Sequence, residues 1–290
     1  MLAGQLVFDG FAMGLVFVIL ATGLVLTASV NKIIFLAYGM FYTIGAYVTW
    51  YMVHFFSMPY LYALIIGVIG SAIIGILSYV LIFARLRDVE GGFLASLIAS
   101  MGLQMALSQG GLLVFGTVPR SIPTVFPGTF TPLGIHISVD KLVLIIAGVT
   151  VCVALFLVYT KTRIGRSMQA VAFVPEAAAL QGINANMVCL ITMAIACGIA
   201  GVAGGLLAPS YGINPQMGNT IIWTVMLMAM LGGMDSLIGA VFGGIVIGQL
   251  LSFGQFYIGG VVQIIIFIII GIVLYFKPNG LMGHGIDVGI

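Results

Sequence analysis

Charge is scarce in this sequence. Of 290 residues, nine are Lys or Arg and seven are Asp or Glu, 6% of the chain, against about 25% in an ordinary soluble domain. So few charges cannot cover a water-soluble body of this length. A net charge of +2 also supplies no concentrated basic face for nucleic acid. Cysteine is equally sparse. Cys152, Cys189 and Cys197 lie in apolar stretches and form no CxxC pair, so they read as small buried side chains rather than a redox or metal site. Enzymatic signatures are missing too. No GxxxxGK[ST], HExxH or GxSxG occurs, and His54, His136 and His284 are far apart, which leaves no phosphate cradle, zinc pair or nucleophile elbow. The one close carboxylate pair, Asp88 and Glu90, stands beside Arg85 and Arg87 and reads as a solvated turn. Before the first apolar run there is Asp9 but no Lys or Arg, so the positive stretch of a cleavable signal is missing and that run is expected to stay as a span.

What the sequence has in abundance is apolar residues. Hydrophobic residues make up 62% of it and the mean hydropathy is +1.29. Several runs reach the roughly 20 residues needed to cross about 30 Å of hydrocarbon. They are too continuous for the alternating pattern of a barrel, and lipid favours helices, whose backbone groups are satisfied internally. The expected class is therefore an all-α polytopic membrane protein. Spans are expected near 8–30, 33–56, 60–84, 93–115, 141–160, 187–208 and 260–276. The stretch 219–253 is interrupted by Gly232-Gly233-Met234-Asp235-Ser236, which gives eight or nine helices according to whether it crosses once or twice. Forty glycines are about twice the usual share of about 7%. In lipid, glycine lets helix backbones approach closely.

Positive charge predicts orientation. Lys32, Arg85 with Arg87, and Lys161 with Arg163 and Arg166 mark the first, third and fifth connections, whereas 57–59 and 209–218 carry none. The N-terminus is expected outside. If 219–253 crosses twice, Lys277 falls inside. After the fourth span Arg120 and Lys141 oppose the trend; the connection 116–140, expected to be external, holds Pro119, Pro123, Pro127 and Pro132. That connection reads either as a functional surface or as a plain linker. The spans hold almost no ionisable residues; Asp235 is the sole candidate for an ion-coupling site, and its setting also suits a turn between helices. Ion-coupled carriers place ionisable groups in the membrane. A transporter without them, and without a nucleotide site, either draws its energy from another subunit or is a passive channel.

The most informative segment is the long connection at about 161–186. Pro175 suits a first helical position, Glu176 complements the helix N-terminus, Ala177 to Ala179 are strong helix formers, and Gly182 supplies a left-handed stop. A short helix outside the bilayer between two spans is a contact surface for a soluble partner. Read otherwise, it is a solubilising loop with a chance alanine run.

Glu176-Ala177-Ala178 followed by Gly182 resembles the EAA-type coupling loop of ABC-importer permeases. Arg163-Ile164-Gly165-Arg166 with 177–184 is similar to the branched-chain amino-acid permease family, of the LivH-like kind. Further matches run in order: Leu97 to Leu103, Tyr211 to Gly218, Leu231-Gly232-Gly233 with Ser236, Gly239-Ala240 and Gly243-Gly244, and Lys277 to Gly283. The resemblance covers nearly the whole chain. Two departures stand out. Phe35 and Tyr38 replace an Asn and a His of the family's early span-two run, and Met234-Asp235 replaces a small or apolar residue followed by Gly.

The resemblance implies one permease domain over 1–290, of the ABC-importer permease fold, in a bacterial inner membrane. It implies a second permease subunit (a LivM-like paralogue or a second copy), two cytoplasmic ATPases that use ATP and Mg, and an extracytoplasmic solute-binding protein. This chain itself is expected to bind no cofactor or metal and to catalyse no reaction. The implied cargo is a branched-chain or other neutral amino acid. A urea or amide importer of the same family, or a passive solute channel, is the alternative. The ATPase-coupling residues are expected to be Arg163, Gly165, Arg166, Pro175, Glu176, Ala177, Ala178 and Gly182. Tyr38, Gly39, Ser100 and Gln104 are candidates for the solute path, with helix-packing hydrogen bonds as the alternative for Tyr38, Ser100 and Gln104. The GxxxG spacings Gly201/Gly205, Gly239/Gly243 and Gly244/Gly248 point to close packing between spans, or to an interface between permeases.

Overall fold

The computed structural model describes residues 2–86, 92–123, 128–130 and 137–283. The Arg87, Asp88 and Glu90 turn, Pro127, Pro132, His136 and His284 lie outside the described residues. The described chain is almost wholly helical: α1 (Leu2–Asn31), α2 (Tyr38–Phe56), α3 (Tyr60–Ser78), α4 (Ala84–Leu86), α5 (Gly92–Phe115), α6 (Val139–Lys161), α7 (Arg163–Phe173), α8 (Pro175–Leu180), α9 (Ala185–Tyr211), α10 (Met217–Gly232), α11 (Leu237–Tyr257) and α12 (Val262–Phe276). A π-helical turn, Tyr79–Phe83, joins α3 to α4, and the three form one apolar rod, Tyr60–Leu86. Two-residue strands, β1 (Thr129–Phe130) and β2 (Ile137–Ser138), pair antiparallel. The connection 116–140 thus contains a small ribbon.

Among the described residues, seven helical segments are long and apolar enough to cross a membrane. Helix α2 is 19 residues long but carries four tyrosines, Trp50 and His54, which lower its hydropathy. Helix α10, at 16 residues, reaches only about 24 Å at 1.5 Å per residue. The expected span 33–56 begins later than the apolar pattern suggested. Lys32 is left-handed, with φ 56°, and α2 starts at Tyr38. The amide that opens it, Ala37 N–H, donates to Ser100 Oγ at 3.1 Å. This hydroxyl, supplied by another helix, satisfies one of the donors that a helix start leaves without an internal acceptor.

The chain forms two compact units. One comprises 1–25, 123–152 and 223–290, the other 26–122 and 153–222. In the second unit α2, α3 and α9 pack together through small residues. A Cβ on Gly201 would lie 2.7 Å from Ser71 Oγ, one on Gly45 would strike the Gly201 backbone, and one on Gly204 would strike the Tyr42 carbonyl. The backbones therefore touch, and polar side chains fasten them. Ser71 Oγ donates to Phe41 O at 3.2 Å and Tyr60 OH to Gly205 O at 2.8 Å.

In the first unit α10 and α11 are separate helices that form a hairpin. Ser236 Oγ caps α11 by accepting from Gly239 N–H at 3.1 Å. Gly239 meets Gly232, and a Cβ on Gly243 would lie 2.5 Å from Met228 O. Gly244 and Gly248 face α1 at Val18 and Gly14. The C-terminal motif closes the end of α10: Leu281 N–H donates to Leu231 O at 2.8 Å and Met282 N–H to Gly232 O at 3.1 Å. Gly280, at φ 79°, makes the turn that aims these amides, a conformation favourable only for glycine.

Candidate partner-docking surface and polar interior

The connection between α6 and α9 contains two helices, one more than the sequence suggested. Thr162 Oγ1 accepts from Gly165 N–H at 3.1 Å and caps α7. One face of α7, formed by Gly165, Met168 and Val171, is buried, a spacing that suits one face of a helix. Gln169 Nε2 ties it back to Tyr159 O at 2.7 Å. Val174, in extended conformation, ends α7 and opens α8, whose first residue is Pro175. The far end of α8 is closed by Gly182 at φ 80° and by Ile183 N–H donating to Ala178 O at 3.1 Å. Asn184 Oδ1 then caps α9 by accepting from Met187 N–H at 3.2 Å.

The expected coupling residues divide into two sets. Arg163, Arg166, Glu176, Ala177 and Gly182 are exposed, and Pro175 is half-buried. Gly165 and Ala178 are buried. A Cβ at Gly165 would strike the carbonyls of Tyr159 and Val158, so glycine there lets α7 fold back against the end of α6. Sequence reading missed the apolar part of the surface. Phe173 is 85% exposed and Leu180 91%. Large apolar side chains left uncovered by the chain beside a charged segment mark an interaction surface.

A second constellation lies in the unit built from 26–122 and 153–222. Tyr38 is fully buried in a cluster of aromatic rings with Phe35, Phe41 and Phe83. Its hydroxyl has no hydrogen-bond partner among the described residues. A Cβ on Gly39 would strike the Gly218 carbonyl, which brings the start of α10 onto α2. From there Asn219 reaches α5: Gln104 Nε2 donates to Asn219 Oδ1 at 3.0 Å, and Asn219 Nδ2 donates to Ser108 Oγ at 2.9 Å. Tyr38, Gly39, Ser100 and Gln104 are therefore brought to one junction of α2, α5 and the start of α10. Ser100 holds the α2 terminus and Gln104 joins a polar chain.

Asn219 is the member that sequence reading missed. Its signal was an amide directly after Asn214-Pro215-Gln216-Met217-Gly218, at the start of an apolar run. Gly201, Gly205, Gly239, Gly243, Gly244 and Gly248 all face other helices within their own unit. Their close-packing surfaces are thus already occupied by this chain. Asp235 lies in the turn between α10 and α11. Among the described residues no group of three or more His, Cys, Asp or Glu could hold a metal ion.

The profile of the family described as "Branched-chain amino acid transport system / permease component" matches residues 6–276. The chain is 27% identical over 293 residues to the high-affinity branched-chain amino acid transport system permease protein BraD of Pseudomonas aeruginosa, covering 97% of this chain and 95% of that one. It is 28% identical over 294 residues to LivH of Salmonella typhimurium, described as the corresponding high-affinity permease protein, with the same coverage. A probable branched-chain amino acid transport permease protein LivH of Methanocaldococcus jannaschii is 28% identical over 289 residues, covering 92% of this chain and 88% of that one.

Proposed function

Because this multi-pass membrane chain belongs to the family of permease components of branched-chain amino-acid transport systems, we propose that it is the LivH-like permease subunit of an ATP-driven importer of branched-chain or related neutral amino acids. Its two units, interleaved along the sequence, serve as one permease domain. Adding α2 and α10 to the seven long apolar segments gives nine crossings. With the positive connections inside, the N-terminus lies outside and α7 and α8 face the cytoplasm.

The observation that carries this reading is α8. It is a short, capped helix outside the spans, held by its buried Ala178, with Glu176, Ala177 and Leu180 turned outward. A groove in a cytoplasmic ATPase subunit takes this helix, and Phe173 and Leu180 supply the apolar contact. The fold-back at Gly165 and the cap at Asn184 make α7 and α8 a stiff link between α6 and α9. Closure of the ATPases on ATP and Mg thereby pulls both spans. The remaining partners are a second permease subunit, a LivM-like paralogue or a second copy, and a solute-binding protein on the outer side. The chemistry of hydrolysis belongs to the ATPases, and this chain needs no cofactor of its own.

The junction around Tyr38, Gly39, Ser100 and Gln104 serves as part of the solute path. It carries hydroxyl and amide groups but no fixed charge, which lets a zwitterion with an apolar tail pass without being trapped. The double substitution Glu176→Ala with Leu180→Asp, both on exposed positions, tests the coupling role. The expected result is a chain that folds and inserts normally, no longer co-purifies with the ATPase subunits, and supports less than about a tenth of the uptake, since Leu180→Asp sets an unpaired charge against an apolar contact, which is costly to bury. Normal uptake together with normal ATPase association would overturn it.

A further inference from the structure

Two described cations stand against the positive-inside pattern, Arg120 and Lys141, and the fold treats them differently. Lys141 Nζ is neutralised by Asp9 at 2.6 Å. Arg120 has no acidic partner among the described residues. It is nevertheless held in place. Its N–H donates to Ile213 O at 2.9 Å and its carbonyl accepts from Ile213 N–H at 2.6 Å, which pins the segment after α5 to the turn before α10. Its guanidinium lies 5.2 Å from the centre of the Trp50 ring, within the range of a cation–π contact. Trp50 in turn stacks on His54 at 5.2 Å and meets Tyr47 edge-on at 6.5 Å. Tyr47 stacks on Phe115 at 4.1 Å.

The column is therefore a positioned guanidinium above aromatic rings, and it continues into buried structure. Trp50 is 8% exposed and Tyr47 1%, and the Tyr47 hydroxyl has no hydrogen-bond partner among the described residues. A guanidinium with no acidic partner among the described residues presents a planar fork of donors that matches a carboxylate. The aromatic rings beneath it are buried and fix its position.

We propose that Arg120 is a specificity residue at the outer end of the solute path, which takes the α-carboxylate of an arriving amino acid while the buried Trp50 and Tyr47 hold its guanidinium in place. This rests on the importer reading and narrows its cargo. A permanent cation at the mouth selects a carboxylate-bearing zwitterion over urea or a simple amide, which have no group to answer it. An acidic side chain of the binding protein is the other source of a carboxylate. One isolated guanidinium set over a buried aromatic column suits a small ligand better than a protein face, which would spread its attraction over several charges.

The test uses the complete transporter in proteoliposomes, with uptake of L-leucine measured against the concentration of leucine-loaded binding protein for the wild type, Arg120→Gln and Arg120→Lys. The expected result is a maximal rate lowered on the order of tenfold in Arg120→Gln, because a charge-assisted bond is lost, with partial recovery in Arg120→Lys. The half-saturating concentration of binding protein stays unchanged. A raised half-saturating concentration at unchanged maximal rate would assign Arg120 to binding-protein docking and overturn the proposal, as would no change in either quantity. Thermal stability of the Arg120→Gln complex equal to wild type separates loss of function from misfolding. A wild-type complex that takes up no amino acid at all would count against the importer reading itself, whereas wild-type uptake with an indifferent Arg120 would count against this inference alone.

Discussion

Helices α2 and α5 differ in a way that reverses the expectation for a soluble protein. Helix α2 carries four tyrosines, Trp50 and His54, yet eleven of its first thirteen residues are buried. Helix α5 has the apolar composition of a membrane span, and only 11% of its apolar window is buried within the chain. The residues that α5 does bury are Ser96, Ser100 and Ser108, while Leu94, Ile98 and Met105 are exposed. Helix α3 repeats the pattern with Ala63, Gly67, Ser71, Gly75 and Ser78 inside. In lipid, hydrocarbon side chains gain nothing by turning inward. Hydroxyls and amides do, because only other protein groups can answer them, and small residues let backbones approach. Apolar content alone does not mark the exposed helix, since α9 is nearly as apolar as α3 and yet mostly buried; what α3 and α5 turn inward is hydroxyls and small residues.

The sharpest way to break this contrast is to make one substitution in both environments. Gly204 faces α2, where a side chain would run into the Tyr42 carbonyl, whereas Gly102 on α5 has nothing within 4 Å. Gly204→Leu is expected to cost at least about 3 kcal/mol, since the obstacle is backbone that cannot repack, and to leave little folded protein. Gly102→Leu is expected to stay within about 0.5 kcal/mol of wild type. Thermal unfolding of detergent-solubilised chain, followed by size-exclusion chromatography, measures both. Equal losses at the two positions would show that the α5 face is as filled as the α2 face. A Gly102→Leu chain that stays folded but no longer joins a second permease subunit would show that a partner covers the face of α5.

The same contrast explains what could be read from the sequence. The bounds of α5 were close to legible, 93–115 against Gly92–Phe115, because the apolar run ends at glycines and charges. Helix α8 was legible for a local reason, Pro175 and Glu176 at one end and Gly182 at the other. The start of α2 was not, since 33–37 continues the apolar pattern and the break depends on Ser100, 63 positions away. Helix α7 was hidden because Arg163 and Arg166 drew attention to charge, while its capping Thr162 and its buried Met168 and Val171 form a weaker pattern. Asn219 was missed because its partners, Gln104 and Ser108, lie on another helix. The exposure of Phe173 and Leu180 follows from the corner at Val174, which composition does not reveal.

A smaller effect tests whether polar groups hold α5 to the buried part of its unit. Asn219 makes bonds to both Gln104 and Ser108, so Asn219→Leu removes two and Gln104→Leu removes one. In membranes such bonds average about 0.6 kcal/mol and reach about 1.7. The expected cost is about 1 kcal/mol for Gln104→Leu and about 2 kcal/mol for Asn219→Leu. The double variant should cost little more than Asn219→Leu alone, because the shared bond is already gone. Fully additive losses would mean that the two amides stabilise the chain through separate contacts.

The smallest effect on stability, and the most informative in sign, is expected at Tyr38. Its ring is fully buried and packed among Phe35, Phe41 and Phe83, while its hydroxyl has no hydrogen-bond partner among the described residues. A buried, unanswered hydroxyl costs stability, so Tyr38→Phe keeps the packing and removes the penalty. The expected change is a stabilisation of up to about 1 kcal/mol, read as a raised unfolding temperature. If the hydroxyl is kept because a passing solute uses it, the same variant lowers the maximal uptake rate while ATPase association stays normal. Greater stability with slower transport is the signature of a polar group retained for the path at the expense of the fold. Lower stability would instead assign the hydroxyl to the core, and the burial of α2 would then be a matter of packing alone.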